Sequence, residues 1–267
     1  MKRERRTWWQ RVILLSISAF LLFLAQPKIS WDPLIWIGLI PFFLSIEDTK
    51  WWKAILYGEL FGTIYFVLNM YWVAGVITRE LPSVIKHASG ELGILPFILL
   101  CVIEGISLAL FAFIYWMIRR WIRSKLWSVM AIASSWVVIE YVRGFGQLGF
   151  TGGRLSDAIY RRIGLIQTMS FTGIWFILFL IVLINAIFFF ILKSSSFSLL
   201  KKCTFIIGVF ALIYASDVLV SSLLPPKHVF GSLKVALVQP NISPYDNYNL
   251  TTQKLENVVR KALRDKR

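Results

Sequence analysis

Long apolar runs alternate with short, polar and often basic segments along this chain. The runs cover residues 8–25, 31–46, 54–77, 92–118, 126–142, 172–192 and 203–224. A helix needs about 20 apolar residues to cross a hydrocarbon core about 30 Å thick, so most runs are long enough; the first two are short. Hydrocarbon offers no partner to open backbone groups, and a β-barrel would show two-residue alternation, so the pattern predicts helices. The expected architecture is an all-α polytopic membrane protein with about seven transmembrane helices over residues 1–224.

Beyond residue 224 the texture changes. Pro225 and Pro226 end the last run. Residues 233–238 form a short apolar run with β-branched members, which suits a buried strand. Residues 240–249 are rich in Asn, Pro and Tyr and read as a loop. Leu255, Val258, Val259 and Ala262 then fall at helical spacing with basic residues opposite. One strand and one helix bury too little apolar surface to fold alone. Residues 225–267 are therefore expected to open a larger α/β domain that they do not complete.

Composition supports the membrane class. The chain is 57% apolar and only 16% charged, against roughly a quarter charged in soluble domains. Its net charge of +15 would suit nucleic acid, but most of the cations flank apolar runs, where they meet anionic headgroups; no nucleic-acid partner is expected. With the N-terminus inside, the inner segments hold 14 lysines and arginines and the three outer loops 7. That bias places the N-terminus in the cytoplasm and everything after 224 outside it. Lys2–Arg6 followed by residues 12–25 also fits a signal peptide; cleavage there would leave the later topology unchanged.

Chemistry-bearing residues are sparse. Cys101 and Cys203 lie in apolar runs without a Cys-x-x-Cys partner, and His87 and His228 stand alone, so neither disulfide, metal site nor cofactor is expected. Gly144, Gly146 and Gly149 satisfy Gly-x-Gly-x-x-Gly, but a dinucleotide site needs a strand before it, and here an apolar helix precedes; the run reads as a surface loop. Glu59, Glu104, Glu140 and Asp217 lie within or beside the apolar runs, where an acid must be paired, protonated or hydrated. Glu104 is nearest the midplane. It suits an ion pathway with Asn69 and Asn185, or a purely structural hydrogen bond. Glu140 and Arg143 are one turn apart and Trp136 one turn further back. With Phe145, Phe150 and Tyr160 in the loop that follows, they suit either a site of lipid access or an aromatic anchor.

Trp136-Val137-Val138-Ile139-Glu140-Tyr141-Val142-Arg143-Gly144 resembles the Trp-x-x-x-Glu-x-x-Arg-Gly signature of bacterial apolipoprotein N-acyltransferases. Gly149-Phe150-Thr151-Gly152 occupies the place of that family's Gly-Phe-Pro-Trp loop, and Ile166, Gln167 and Gly173 match its Ile-Gln-x-x-x-x-x-Gly helix start. Lys234-Val235-Ala236-Leu237-Val238-Gln239-Pro240-Asn241 is similar to the first strand of its nitrilase-like domain. Tyr71-Trp72 and Gln26-Pro27 agree in order. Departures are Thr151-Gly152 for Pro-Trp, and Tyr248 for a Trp that follows the strand.

The resemblance implies a bacterial cytoplasmic-membrane protein that moves an acyl chain from a phospholipid to the α-amino group of a lipoprotein's N-terminal diacylglyceryl-cysteine. In the family a Cys thiolate takes the acyl group as a thioester, with a Glu base and a Lys at the oxyanion. All three lie later in the family than the segment matched here, so no catalytic residue is expected in residues 1–267. Trp136, Glu140, Arg143, Gly144, Phe150 and Tyr248 are the expected lipid or substrate contacts, and Glu104 the intramembrane acid. Membrane phospholipids, diacylglyceryl lipoproteins and a separate chain carrying the rest of the nitrilase-like domain are the expected partners, with no acyl transfer by this chain alone. The expectation is that the catalytic half is a separate chain or that the gene is truncated. The rivals are a non-catalytic membrane scaffold or lipid-binding remnant, and a small transporter using Glu104 and Asp217.

Overall fold

A computed structural model describes residues 6–84, 89–145, 149–223 and 248–264. The chain forms two compact units, Met1–Leu224 and Pro225–Arg267. Among the described residues the regular structure is helical throughout: α1 (Trp8–Ala25), α2 (Ile40–Ile46), α3 (Trp51–Asn69), α4 (Tyr71–Val84), α5 (Ile94–Trp121), α6 (Lys125–Arg143), α7 (Ile163–Lys193) and α8 (Leu199–Leu223), then α9 (Tyr248–Arg264) in the second unit. The predicted strand at 233–238, Pro225 and Pro226, and the middle of the Gly144–Gly149 run lie outside the described residues.

Five helices are long and apolar enough to cross a membrane, and a sixth span is formed if the bent pair α3 and α4 counts as one. Two of the seven predicted runs behave differently from a straight span. The run 54–77 breaks at Met70, where α3 and α4 meet at a 71° bend. At that point the Asn69 side chain donates to the Tyr65 carbonyl, 2.7 Å away, where the α3 ladder ends. The run 31–46 holds a 3-10 turn at Asp32–Trp36 and then α2, with Pro33 and Pro41 at the starts of these two helices. Seven residues of helix reach only about 10 Å, so α2 alone is too short to cross. The run instead passes from one end of the bundle to the other as a broken segment beside α1, with Trp31 bonded to Leu24, Gly38 to Ser18 and Ser45 to Arg11.

The rings of α2 pack deep in the bundle. Phe42 stacks on Phe61 of α3 at 4.2 Å, Phe43 stacks on Tyr115 of α5 at 5.4 Å, and Phe43 meets Phe189 of α7 edge-on at 5.7 Å. Irregular backbone at this depth needs side-chain partners. Asn185 of α7 supplies them: Oδ1 accepts from the Leu39 amide at 2.9 Å, and Nδ2 donates to the Ile35 carbonyl at 2.9 Å. Ser18 of α1 donates to the Gly38 carbonyl. Asn185 thus serves the helix break, not Glu104.

The helices pack through small residues. A Cβ on Gly58 would stand 2.6 Å from the Leu108 carbonyl oxygen, and one on Gly62 would stand 2.7 Å from the Gly105 Cα. The Gly58-x-x-x-Gly62 spacing therefore lets α3 and α5 approach backbone to backbone. Within α7, Gly173 has φ +71° and ψ 173°, a conformation essentially reserved for glycine, and it joins the two helical stretches of that element. By contrast α8 is exposed along most of its length, with only Ile213 and Asp217 buried.

At the end of the bundle where α1 and α3 begin, Glu47 lies in the turn between α2 and α3. It accepts from Tyr115 at 2.6 Å, from Arg119 at 3.0 Å and from Lys193. Burial pushes this carboxyl up, but hydrogen bonds from Arg119, Lys193 and Tyr115 outweigh it and hold it below its ordinary value of 4.5. A lowered folded-state pKa gives stability that is complete above 4.5 and is lost as pH falls through the folded value. The melting temperature in detergent will therefore fall on acidification below that value, and Glu47→Gln will flatten that acid limb while lowering stability at neutral pH. An acid limb of unchanged steepness in the variant would rule out this assignment.

Candidate functional site

The opposite end of the same unit holds a second buried cluster. Glu140 and Arg143 lie one turn apart near the end of α6, and Arg143 donates to Glu140. Its second terminal nitrogen reaches Glu104 of α5 at 3.0 Å. Arg154, from the loop after α6, stands 3.6 Å from Glu140. The side chains of Glu104, Glu140 and Arg143 are 6–8% exposed. Two carboxylates are thus balanced by two guanidiniums, the arrangement that buried charges require. Each guanidinium also covers a ring, Arg143 on Phe66 at 5.0 Å and Arg154 on Trp175 at 5.1 Å.

Three successive loop carbonyls are held from three helices. Arg143 donates to Gly152 at 3.3 Å, Tyr65 of α3 donates to Gly153 at 2.6 Å, and Gln26 at the end of α1 donates to Arg154 at 3.1 Å. Gly153 sits at φ +72°, where a side chain would be strained. Asp157 accepts from the Arg154 amide at 3.1 Å. Burial raises the Asp157 carboxyl above its usual range, and that amide and the Arg154 charge draw it part of the way back. Further along, Arg162 grips both oxygens of Asp32 at 2.8 and 2.9 Å, and Tyr214 of α8 donates to Asp32 at 2.8 Å. The loop is clamped at several points along its length.

The structure brings Glu104, Glu140 and Arg143 together, although Glu104 is far from the others in sequence. Trp136 is buried and meets Phe111 edge-on at 4.7 Å, so it supports α6 from inside the bundle. The Phe150 ring is half-buried and lies over Gly152, leaving no room for a Cβ there. Gly144 caps α6. Tyr248 opens α9, in the other unit. Asp217 accepts from the Leu165 amide at 3.0 Å, and Glu59 accepts from Thr63 at 3.2 Å. Glu104 and Asp217, the acids a transport pathway would use, are thus engaged in holding helix and loop. Both carboxylates of the cluster are ion-paired, which suits holding the loop more than moving protons. Tyr141, Phe145, Tyr160 and Phe171 are exposed, and Tyr141 meets Phe145 and Trp175 edge-on at 4.7 and 5.2 Å.

Sequence reasoning missed Gln26, Asp32, Glu47, Tyr65 and Arg154 as organising residues. The signal was present for Asp32 and Glu47, acids at the two ends of the second apolar run. The Arg154 guanidinium and the Tyr65 hydroxyl gave none, since Glu140, Trp175 and the Gly153 carbonyl that they meet are remote in sequence.

Such an arrangement defines a polytopic helical membrane protein whose buried ion cluster fixes a loop at one end of the bundle. Residues 18–187 match the N-terminal domain of apolipoprotein N-acyltransferases, and the chain belongs to that family. It is 31% identical to the apolipoprotein N-acyltransferase of Thermotoga maritima, over 98% of this chain and 52% of that protein. It is 29% identical to the Geobacter metallireducens enzyme over 67% of this chain and 33% of that protein, and 26% identical to the Gloeobacter violaceus enzyme over 82% and 41%. The chain spans about half the length, or less, of these relatives.

Proposed function

We propose that residues 1–224 are the membrane part of an apolipoprotein N-acyltransferase, which moves a phospholipid acyl chain to the N-terminal diacylglyceryl-cysteine of lipoproteins. Residues 225–267 open its nitrilase-like domain outside the cytoplasm, and the N-terminus lies in the cytoplasm. Phospholipids and diacylglyceryl lipoproteins are the partners at the membrane, and the nitrilase-like remainder supplies the reactive groups. Both substrates carry chains that stay in the bilayer, so a rigid membrane-embedded seat shortens the search for a reactive geometry.

The observation that carries this reading is the Glu104–Arg143–Glu140 cluster, which sits on the Trp136–Gly144 signature and holds the Gly152 carbonyl. It fixes a loop beside exposed aromatic residues, the form expected of a lipid-access rim. In proteoliposomes, a phospholipid with a photoreactive acyl chain should label residues within 141–175. A diacylglyceryl-cysteine lipopeptide should compete for that labelling, and Glu140→Gln should reduce it several-fold. Labelling spread evenly over both ends of the bundle, or indifferent to the lipopeptide, would defeat the proposal.

A further inference from the structure

At the other end of the bundle two recesses share a wall. The first, about 160 Å³, is lined by Arg6, Arg11, Asp48, Lys50 and Lys53 among others. The second, about 310 Å³, is an apolar groove along α3 lined by Trp52, Leu56 and Leu60. Trp8, Lys53 and Tyr57 belong to both, so the basic recess and the apolar groove adjoin on these three side chains. Four cations meet one acid there, and that acid also faces Lys193 at 3.7 Å. The recess lies where α1 and α3 begin, and neither helix has an acid in its first turn. Both helix dipoles therefore add to the positive potential. Trp8, Trp9, Trp51 and Trp52 are exposed at the same level, as aromatic residues are at a membrane–water interface.

We infer that this pair of recesses binds one anionic phospholipid, with its phosphodiester in the basic recess and one acyl chain along the groove. Arg11 is already committed to the Ser45 and Glu47 carbonyls, and Arg6 donates to the Leu44 carbonyl. Lys50 and Lys53, both exposed, are the cations left to meet the phosphate. A free phosphate would use the recess without the groove, and a zwitterionic lipid would use the groove without the excess charge. The joined recesses favour the anionic lipid. This lipid is not the acyl donor proposed above. The 18 residues of α1 separate the recess from Gln26 and the Arg154 loop by about 27 Å, which places it in the other leaflet.

Native mass spectrometry of the full chain tests this, with phosphatidylglycerol and phosphatidylethanolamine of matched chains. Phosphatidylglycerol should be retained preferentially. Lys50→Gln/Lys53→Gln should weaken its retention roughly 10- to 30-fold, at about 5-fold per lysine near the surface, with the melting temperature unchanged. Lys201→Gln/Lys202→Gln, which removes equal charge in the first turn of α8, should leave retention intact, and neither glycerol phosphate nor inorganic phosphate should displace the lipid. Equal loss in both double variants would show diffuse attraction without a site and overturn the inference. Displacement by either soluble phosphate, or no preference between the lipids, would overturn it too.

Discussion

Replacing Arg143 by glutamine is expected to destabilise the membrane unit by about 3–5 kcal/mol, the cost of removing one partner from a buried ion pair. The side chain is 7% exposed and serves two carboxylates and the Gly152 carbonyl at once. Its loss leaves Glu104 without the cation that pairs it, and Glu140 with only Arg154 at 3.6 Å. Protonation of the orphaned acids limits the cost, which is why it is placed at a few kcal/mol and not at the full price of a bare buried charge. Arg143→Lys should fall between, because a single ammonium cannot reproduce a planar fork that reaches Glu104, Glu140 and a carbonyl together. Unfolding by a denaturing detergent measures the series, and a double-mutant cycle with Glu104→Gln should show the two losses adding to less than their sum. A change below about 1 kcal/mol in Arg143→Gln would mean that the cluster does not organise this end of the bundle.

The second large effect is expected at the α3–α5 crossing. Gly62→Val should cost about 3 kcal/mol, the upper end for overpacking, because the new Cβ would meet the Gly105 Cα at 2.7 Å and its carbonyl oxygen at 2.9 Å. Those are backbone atoms and cannot step aside, so the two helices must separate along their shared face. Gly105→Ala should be milder. Its nearest obstacle, at 2.7 Å, is the Glu59 carboxylate oxygen, the far end of a side chain that can rotate away. The order of melting temperatures should therefore be native, then Gly105→Ala, then Gly62→Val. Equal melting temperatures for the native chain and Gly62→Val would show that close approach at Gly62 is not required.

The first, fourth, fifth, sixth and seventh apolar runs were legible because their signal is local. A stretch that cannot satisfy its backbone in hydrocarbon must become a helix whatever its neighbours do. The run 31–46 was legible as apolar but not as broken, since burial inside a bundle and exposure to lipid select the same residue types. Its two prolines were visible, but that its open carbonyls and amides could be met at depth was decided by Asn185, far along the chain. The Gly58-x-x-x-Gly62 spacing could also have been noticed, though not the identity of the helix it approaches.

At the candidate site the Glu140–Arg143 pair followed from one turn of helix, and the resemblance of the Trp136–Gly144 segment pointed to the family that the comparison then showed. Sequence alone thus determined what depends on near neighbours: helices, their polarity pattern, and an ion pair at one-turn spacing. Tertiary structure alone decided that Glu104 completes that pair, that Trp136 faces inward, and that Gln26, Tyr65 and Arg143 take three successive carbonyls of one loop. The physical reason is that a buried charge or carbonyl must find a partner, but the chain does not say which distant segment will bring it; packing does.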